Sequence, residues 1–351
     1  MKIAVLGGGN GSFAAAGDFA LQGHEVRLWR RDAAAVTAHR AAGSRIVVKD
    51  SKGRHDVQLA LVTTDIAEAV RDAGLILCPA PAFAQQDIAA LLAPYLRDGQ
   101  VVFLPPATFG SVIFAKAAHD AGNHAAVAFA ETGTLPWLTR KHGPFEVAIT
   151  IRAKRLPVGV FPLQAASAAL DVIASAFPGV IEPCGDALSG ALMNAGPIEH
   201  FERWDIHKEG TQGSIRRVTD ALDAERIAVR EGFGYGAPHF PLAHHYAKQG
   251  EEWMYGRGSH DRLTDSGDWR ERIVLTEHRY MREDLRMGLS FLVSVAELAG
   301  IAAPLAKSFL AIGGAICGED FGRSGRTLQS LGLGGLDRDG LQALLRVGFR
   351  R

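Results

Sequence analysis

The sequence predicts two domains of different class, an α/β domain with a parallel sheet followed by a mostly α-helical domain. The first half alternates short apolar runs with amphipathic segments, as βαβ units do, whereas the second half has long helical stretches and few strand signals. The 351 residues also suffice for two domains of about 100–200 residues, each with its own core. We expect the domains to span residues 1–183 and 184–351.

The elements of the first half follow one another in regular order up to residue 135. The predicted strands are KIAVLG, HEVRLW, LILCPA and VVFLPP, and the predicted helices cover 11–22, 33–41 and 83–95. The segment 44–62 breaks this order, because strand-like runs flank Lys52-Gly53 with no helix between them, and it predicts an inserted hairpin. A further strand at 145–152 and a helix over 164–176 precede the change of pattern near Pro183.

Composition excludes several classes of partner. Lys+Arg and Asp+Glu both number 38, so the basic excess of a nucleic-acid or anionic-membrane binder is missing and a small-molecule partner is expected. The three cysteines are far apart and form no CxxC pair, which argues against a disulfide framework and favours a reducing, cytoplasmic compartment. The apolar stretch 287–317 is interrupted by charges and Pro304, so it predicts buried helices rather than a membrane span.

A glycine-rich turn joins the first strand to the first helix. Gly7 permits the tight turn, Gly9 lets the backbone approach a pyrophosphate, and the following helix N-terminus stabilises its charge. Ser12 stands where Gly or Ala is usual, but it is small enough for close helix–strand packing. An ordinary Gly-rich turn is the alternative to a Rossmann dinucleotide site. The predicted cofactor-binding residues here are Gly7, Gly9, Asn10, Gly11 and Ser12, with Pro79 after the LILC strand.

The end of the second strand bears on which dinucleotide is bound. An NAD enzyme usually offers a carboxylate to the ribose 2′-hydroxyl at this point, and an NADP enzyme an arginine to the 2′-phosphate. The sequence offers Arg30 and Arg31, which favours NADP. In the alternative, both arginines are solvated and Asp32 holds the ribose of NAD.

Stretches along nearly the whole chain resemble the opine (octopine/nopaline) dehydrogenases, which reductively condense an α-keto acid with an amino acid. The matching stretches are GGGNGS, LILCPAPAFA, LPPATFGSVIFAKAA, FAETGTLPW, LMNAGPIE, EGTQGSIRRVTDALDAERIAV, RYMREDLRMGL and SGRTLQSLGLGGL. The resemblance is to N-(1-carboxyethyl)amino acid dehydrogenases, and it implies a helical substrate and dimerisation domain of 6-phosphogluconate-dehydrogenase-like fold. We accordingly expect a homodimer.

The resemblance also implies catalytic roles for Arg279 and Asp284 in the RYMRED segment. From the residues alone, Asp284 shares a helical stripe with Gly288, Phe291 and Val295, so its carboxylate is expected on a buried face where it needs a partner. On an ideal α-helix Arg279 lies about 140° away, so it is expected at or before the first turn. Its guanidinium could bind a substrate carboxylate with two hydrogen bonds. The alternative is a structural ion-pair network of Arg279, Arg282, Glu283 and Arg286.

Glu131 ends a predicted strand in the AETGT segment. It would face the carboxyl edge of the sheet, where such folds place ligands, and it is a candidate catalytic residue. A helix-capping or domain-bridging carboxylate is the alternative.

One departure from the family concerns its catalytic histidine. The family carries His-Pro seven residues before the Asn of the LMNAG segment, and an ungapped alignment places Ala187-Leu188 there. His200 is the candidate replacement and His207 the next nearest imidazole, whereas a surface or structural histidine is the alternative reading of either. The remaining loose cluster has no convincing metal-ligand spacing, so no metal is predicted; it consists of His239, His244, His245 and His260.

These observations predict an NAD(P)H-dependent oxidoreductase that transfers hydride to an imine or keto carbon of a small carboxylate. Oxidation of a secondary alcohol in a hydroxy acid or sugar acid is the first alternative, since it uses the same hydride chemistry without an amine. A catalytically silent dinucleotide-binding module is the second.

Overall fold

The structure, a computed structural model, describes residues 1–193, 203–205, 212–267, 270–272 and 274–349. It divides into two compact units, Met1–Gly190 with Leu345–Arg351, and Ala191–Leu344. The division after Gly190 differs from the boundary expected at Pro183. Pro183 lies inside the strand Ile181–Asp186 at the edge of a sheet, where proline's missing N–H is tolerated.

The first unit is an α/β domain. Its strands are β1 Lys2–Leu6, β2 Glu25–Trp29, β3 Arg45–Asp50, β4 Gly53–Gln58, β5 Leu61–Thr63, β6 Leu75–Leu77, β7 Val101–Leu104, β8 Ala128–Glu131, β9 Trp137–Gly143, β10 Glu146–Arg152, β11 Leu156–Phe161 and β12 Ile181–Asp186. Its helices are α1 Asn10–Leu21, α2 Ala33–Ala41, α3 Ile66–Val70, α4 Gln85–Leu92, α5 Gly110–Asp120, α6 Ala166–Ala176 and α7 Ala187–Ala191.

Eight strands form the main sheet in the order β12-β11-β8-β7-β6-β1-β2-β5. Every neighbouring pair is parallel except β11 with β8. The central strands β6 and β7 are buried along their whole length, which is why they read as continuous apolar runs. The predicted Rossmann domain is confirmed, and β1, β6 and the glycine-rich turn lie at its centre.

A smaller four-stranded sheet has the order β4-β3-β10-β9. The hairpin predicted at 44–62 is β3 with β4, and the strand predicted at 145–152 joins this sheet rather than the main one. The sheet packs on α1, and the approach is close. A Cβ on Gly17 of α1 would lie 2.4 Å from Cγ2 of Val48 in β3.

The second unit is mostly helical, as predicted. Its helices are α8 Gly213–Gly232, α9 Ala243–Tyr246, α10 Ser259–Ser266, a π-helix Tyr280–Leu289, α11 Ser290–Ala299, α12 Pro304–Cys317 and α13 Phe321–Ser324, and α14 Arg338–Val347 follows. The strands β13 Arg203–Asp205 and β14 Arg270–Arg272 pair antiparallel. Over the residues described, none of the helices combines the length and the apolar character that crossing a membrane requires.

The DALDAERIAV segment lies on α8 and has a structural role. Asp223 accepts a 2.6 Å hydrogen bond from Nε of the buried Arg226, whose other nitrogens donate to the carbonyls of Leu192 and His239. Glu225 accepts hydrogen bonds from the first amides of α12. Because a buried charge needs such partners, these residues fix α8 against its neighbours.

Candidate active site

The N-terminus of α1 lies directly after β1 and the glycine-rich turn. Gly9 is its N-cap residue, in extended conformation, and has no side chain that could cap the helix. By contrast, Asp32 and Asp65 cap α2 and α3. The first amides of α1 therefore keep their hydrogen-bonding capacity for an external anion.

The glycines of the turn differ in what surrounds them. Gly7 has φ +123°, and a Cβ on it would lie 2.6 Å from Oγ of the buried Ser12. A Cβ on Gly9 would meet nothing within 4 Å, so the space in front of the helix N-terminus is open. A Cβ on Gly11 would approach Cβ of Pro79 to 3.2 Å. The turn therefore fits a pyrophosphate at Gly9, with Pro79 beside it.

The end of β2 carries two arginines in different surroundings. Arg30 is half-buried, and its Nε lies 2.9 Å from the position that a Cβ would take on Gly8. Arg31 is exposed. One carboxylate oxygen of Asp32 accepts the Ala35 amide at 3.0 Å and caps α2. Of these side chains, Arg30 is the one that reaches the glycine-rich turn.

Lys141 on β9 lies beside the glycine-rich turn and was not among the predicted site residues. Its backbone amide donates to Oδ1 of Asn10 at 3.0 Å, so Asn10 ties the small sheet to the turn. Its Nζ lies 3.4 Å from the carbonyl of Gly8 and 3.8 Å from the centre of the Phe13 ring. The run Arg140-Lys141-His142 is basic, but more than a hundred residues separate it from the turn, and only the fold shows their proximity.

Glu131 ends β8, as predicted, and is fully buried. Its Oε1 accepts the Phe109 amide at 2.7 Å, and its Oε2 accepts the Ser111 amide at 2.9 Å and the Ser111 hydroxyl. Both oxygens thus bind the N-terminus of α5. Thr108 and Phe109, which lead into this helix, have φ of 52° and 65°, a backbone conformation that is strained for residues other than glycine. The hydrogen bonds of Glu131 hold this segment in place. This geometry favours the helix-capping alternative over a catalytic role.

The helix that carries Asp284 is a π-helix, which corrects the geometry expected for an α-helix. Its buried residues are Met281, Leu285 and Leu289, so Asp284 lies beside the buried stripe and is half-buried. Arg279 is the N-cap residue. A π-helix closes i→i+5 hydrogen bonds, which brings residues five apart onto nearly one face. The five-residue spacing of Arg279 and Asp284 therefore places both on the same side, instead of about 140° apart.

The charges around Asp284 are coupled. Burial of its carboxyl raises the pKa of Asp284, and the nearby Arg279 and His278 partly oppose this shift. Burial likewise raises the pKa of Glu283, with Asp284 adding to the shift and Arg279 opposing it. His278 was not predicted as a site residue. The carboxyls of Glu283 and Asp284 can therefore hold a proton beside the guanidinium of Arg279, which is exposed to solvent.

The positions aligned with the family's His-Pro are described by the structure, whereas the two candidate replacement histidines are not. Ala187 and Leu188 are fully buried in α7, so neither position offers a proton-transferring group. His200 and His207 lie outside the described residues. Among the residues described, no group of three His, Cys, Asp or Glu side chains could hold a metal ion.

The fold and the open helix N-terminus define a dinucleotide-dependent oxidoreductase, and comparisons with known proteins specify which kind. The family model for the N-terminus of NAD-dependent glycerol-3-phosphate dehydrogenase matches residues 2–104. The model for the α-helical domain of NAD/NADP octopine/nopaline dehydrogenase matches residues 188–317. In its helical domain the chain is therefore similar to the opine dehydrogenases.

Relatives match over nearly their whole length. An opine dehydrogenase of Arthrobacter sp. (strain 1C) is 28% identical over 97% of both chains. Vitopine synthase of Allorhizobium ampelinum is 27% identical over 95% of this chain and 96% of its own. Octopine dehydrogenase with NADH and pyruvate superposes with a TM-score of 0.72 at 19% identity, covering 100% of this chain and 99% of its own. Yersinopine dehydrogenase with NADP⁺ gives 0.66 at 13% identity, covering 98% and 97%.

Proposed function

We propose that the protein reductively condenses a small α-keto acid with the amino group of an amino acid, using NADPH or NADH. The observation that carries this proposal is the π-helix, because it sets a guanidinium, Arg279, and a half-buried carboxyl, Asp284, on one face. Similarity to an opine dehydrogenase along nearly the full chain supports the same reaction.

The reaction balances with groups of this chain and one cofactor. The keto carbonyl and the amine condense to an imine with loss of water. The imine carbon then takes a hydride and its nitrogen a proton, which gives a secondary amine. The dinucleotide supplies the hydride when bound, and the amides that open α1 would hold its pyrophosphate.

Each side chain has a distinct proposed role. Arg279 binds the carboxylate of the keto acid, for which a planar guanidinium offers two parallel hydrogen bonds. Asp284 orients the imidazole that exchanges the proton, and we assign that imidazole to His200. Glu131 holds α5 and is not assigned a contact with the reactants.

Asp284→Asn is the first test. Turnover of NADPH with a keto acid and an amino acid should fall by about 10²–10⁴-fold, because the proton-transferring group loses its partner. The Kd for NADPH should stay within about twofold. Amine-independent consumption of NADPH by the wild type would instead favour reduction of a keto acid to a hydroxy acid. No turnover with any pair of substrates would refute the proposal.

Asp284→Asn should not lower stability. A carboxyl whose pKa is raised by the fold binds its proton more tightly when folded, so its contribution to stability is lost as pH rises from the ordinary pKa through the raised one. The amide of asparagine has no proton to lose at neutral pH, so the variant does not undergo this loss of stability. The unfolding temperature at pH 7 should therefore be equal or higher, which separates lost chemistry from lost folding.

Arg279→Lys is the second test, with Arg282→Lys on the same helix as its matched control. Lysine keeps the charge but cannot reproduce two parallel hydrogen bonds, so KM for the keto acid should rise by about tenfold or more. Arg282 donates to the carbonyl of Thr276, and its replacement should leave that KM unchanged. Equal KM values in both variants would remove Arg279 from the proposed site.

We also propose a cytoplasmic location and a homodimer. Cys78 and Cys317 are free thiols, which suits a reducing compartment. On α12 the side chains of Ile312 and Ile316 are exposed, and a second copy could cover them. Light scattering of the purified chain tests the dimer; a single species of 37.5 kDa would contradict it.

A further inference from the structure

We infer that Lys141, acting with Arg30, binds the 2′-phosphate of NADP(H), so that the small sheet sets the preference for this cofactor. The inference rests on the proposed oxidoreductase function and names the dinucleotide that serves it. Nothing in the sequence pattern of the glycine-rich turn points to Lys141.

Both cations converge on one residue of the turn. Nζ of Lys141 lies 3.4 Å from the Gly8 carbonyl, and Nε of Arg30 lies 2.9 Å from where a Cβ on Gly8 would be. Both also lie over the ring of Phe13, with Nζ of Lys141 at 3.8 Å and the guanidinium carbon of Arg30 at 5.4 Å from its centre. Both positive groups therefore lie close to Gly8 and Phe13.

Neither cation is in direct contact with a carboxylate among the residues described. Neither Arg30 nor Lys141 makes an ion pair there, and the nitrogens of their side chains bond only to the backbone carbonyls of Ala35 and Gly8. Burial lowers the pKa of both groups. The nearby Asp32 carboxylate partly opposes this shift for Arg30, and Arg30 lowers the pKa of Lys141 further. Two half-buried like charges side by side are unfavourable, and an anion between them removes the repulsion.

The position of the pair selects the ligand. Arg30 directly follows β2, at the point where Rossmann domains contact the ribose that carries the 2′-hydroxyl or 2′-phosphate. Asp32, the carboxylate that could hold a 2′-hydroxyl, already caps α2. A phosphate monoester carries a charge of about −1.5 to −2 at pH 7, which matches two cations.

The backbone holds Lys141 in this position. Asn10 opens α1 and accepts the Lys141 amide, so β9 and the phosphate-binding turn are linked by a hydrogen bond at 3.0 Å. Lys141 needs no large movement to face a group bound at the turn. This link gives the small sheet, which is otherwise packed on α1, a direct part in cofactor selection.

Direct binding to the full chain without any keto acid or amine tests the inference. The Kd for NADPH and NADH, and for 2′,5′-ADP against 5′-AMP, would be measured for the wild type and for Lys141→Met, Lys141→Arg and Arg30→Ala. Lys116→Met is the matched control, since Lys116 pairs with Asp120 on the exposed face of α5.

Lys141→Met should raise the Kd for NADPH and for 2′,5′-ADP by about tenfold or more, since it removes a charge-assisted contact. The Kd for NADH and for 5′-AMP should change by no more than about twofold. Lys141→Arg should retain the preference, and Lys116→Met should match the wild type. An equal loss for NADH and NADPH would show a merely structural role, and an unchanged Kd for NADPH would exclude any contact; either result overturns the inference. Because these binding experiments contain no keto acid or amine, their result can be interpreted even if the proposed condensation is not observed.

Discussion

The N-termini of α1 and α5 both follow a strand of the main sheet, yet they are completed in opposite ways. The first amides of α5 are bound by the buried carboxylate of Glu131, which the chain itself supplies. The N-cap residue of α1, Gly9, has no side chain to bind the first amides of that helix and leaves open space in front of them. One helix end is closed by a structural carboxylate, and the other is left for an anion from outside.

This difference shows that a helix N-terminus becomes a binding site only when the protein does not fill it. Unsatisfied amides at a helix start need a partner, because the first turn has none within the helix. At α5 that partner also fixes the strained residues Thr108 and Phe109. At α1 the partner that we propose is the dinucleotide, so the same backbone chemistry would serve stability in one place and binding in the other.

Gly9→Asp should have the largest effect, because it would close α1 as Glu131 closes α5. Gly9 has the extended conformation of an N-cap residue, and a Cβ there meets nothing within 4 Å, so an aspartate fits. Its carboxylate can accept hydrogen bonds from the first amides of α1. The carboxylate then repels and displaces the pyrophosphate. We expect the Kd for both NADPH and NADH to rise by about 100-fold or more, measured by fluorescence.

Gly9→Ala is the matched control for this substitution. It adds a Cβ in open space but no acceptor, so affinity should fall far less. Without cofactor, the Gly9→Asp variant should unfold at an equal or higher temperature than the Gly9→Ala variant, since a good N-cap stabilises a helix by about 0.5–2 kcal/mol. Equal Kd values for Gly9→Asp and the wild type would show that the first amides of α1 do not bind the dinucleotide.

Glu131→Gln should have the intermediate effect, on stability rather than on binding. The amide nitrogen cannot accept the hydrogen bonds that Phe109 and Ser111 donate, so one buried amide loses its partner. We expect the free energy of unfolding to fall by about 1–3 kcal/mol in urea denaturation. The Kd for NADPH should change by less than about threefold. Unchanged stability with lost turnover would instead restore Glu131 as a catalytic candidate.

Lys141→Met should have the smallest effect on the apo protein. The folded state lowers the pKa of Lys141, so it binds this proton more weakly than the unfolded chain does. The charged lysine therefore reduces stability below the lowered pKa, and the reduction disappears as pH rises from there through the ordinary pKa. The variant should unfold at an equal or higher temperature at pH 7. A clear decrease would indicate that Lys141 serves the fold.

The sequence was most informative where residues adjacent in the chain are also adjacent in the fold. Gly7, Gly9 and Ser12 predicted the turn between β1 and α1, and apolar runs predicted β6 and β7 because strands buried on both faces have no polar alternation. The position of Arg30 after β2 was equally readable.

Contacts between distant segments could not be read in this way. Lys141 reaches Gly8 only because β9 pairs into a sheet that packs on α1, and no local pattern states that pairing. The two roles left open for Glu131 differ only in what its oxygens contact, which depends on the loop before α5. The π-helix escaped prediction because a stripe of i, i+4 and i+7 residues was assumed to be α-helical, whereas Met281, Leu285 and Leu289 are spaced by four.

Calorimetric titration of the full chain with NADPH and with NADH would show whether α1 binds a dinucleotide. If the open N-terminus of α1 binds a diphosphate beside Arg30 and Lys141, one dinucleotide binds per chain and NADPH binds more tightly than NADH. Absence of detectable heat and of any competing binding signal with both dinucleotides would show that α1 holds no diphosphate.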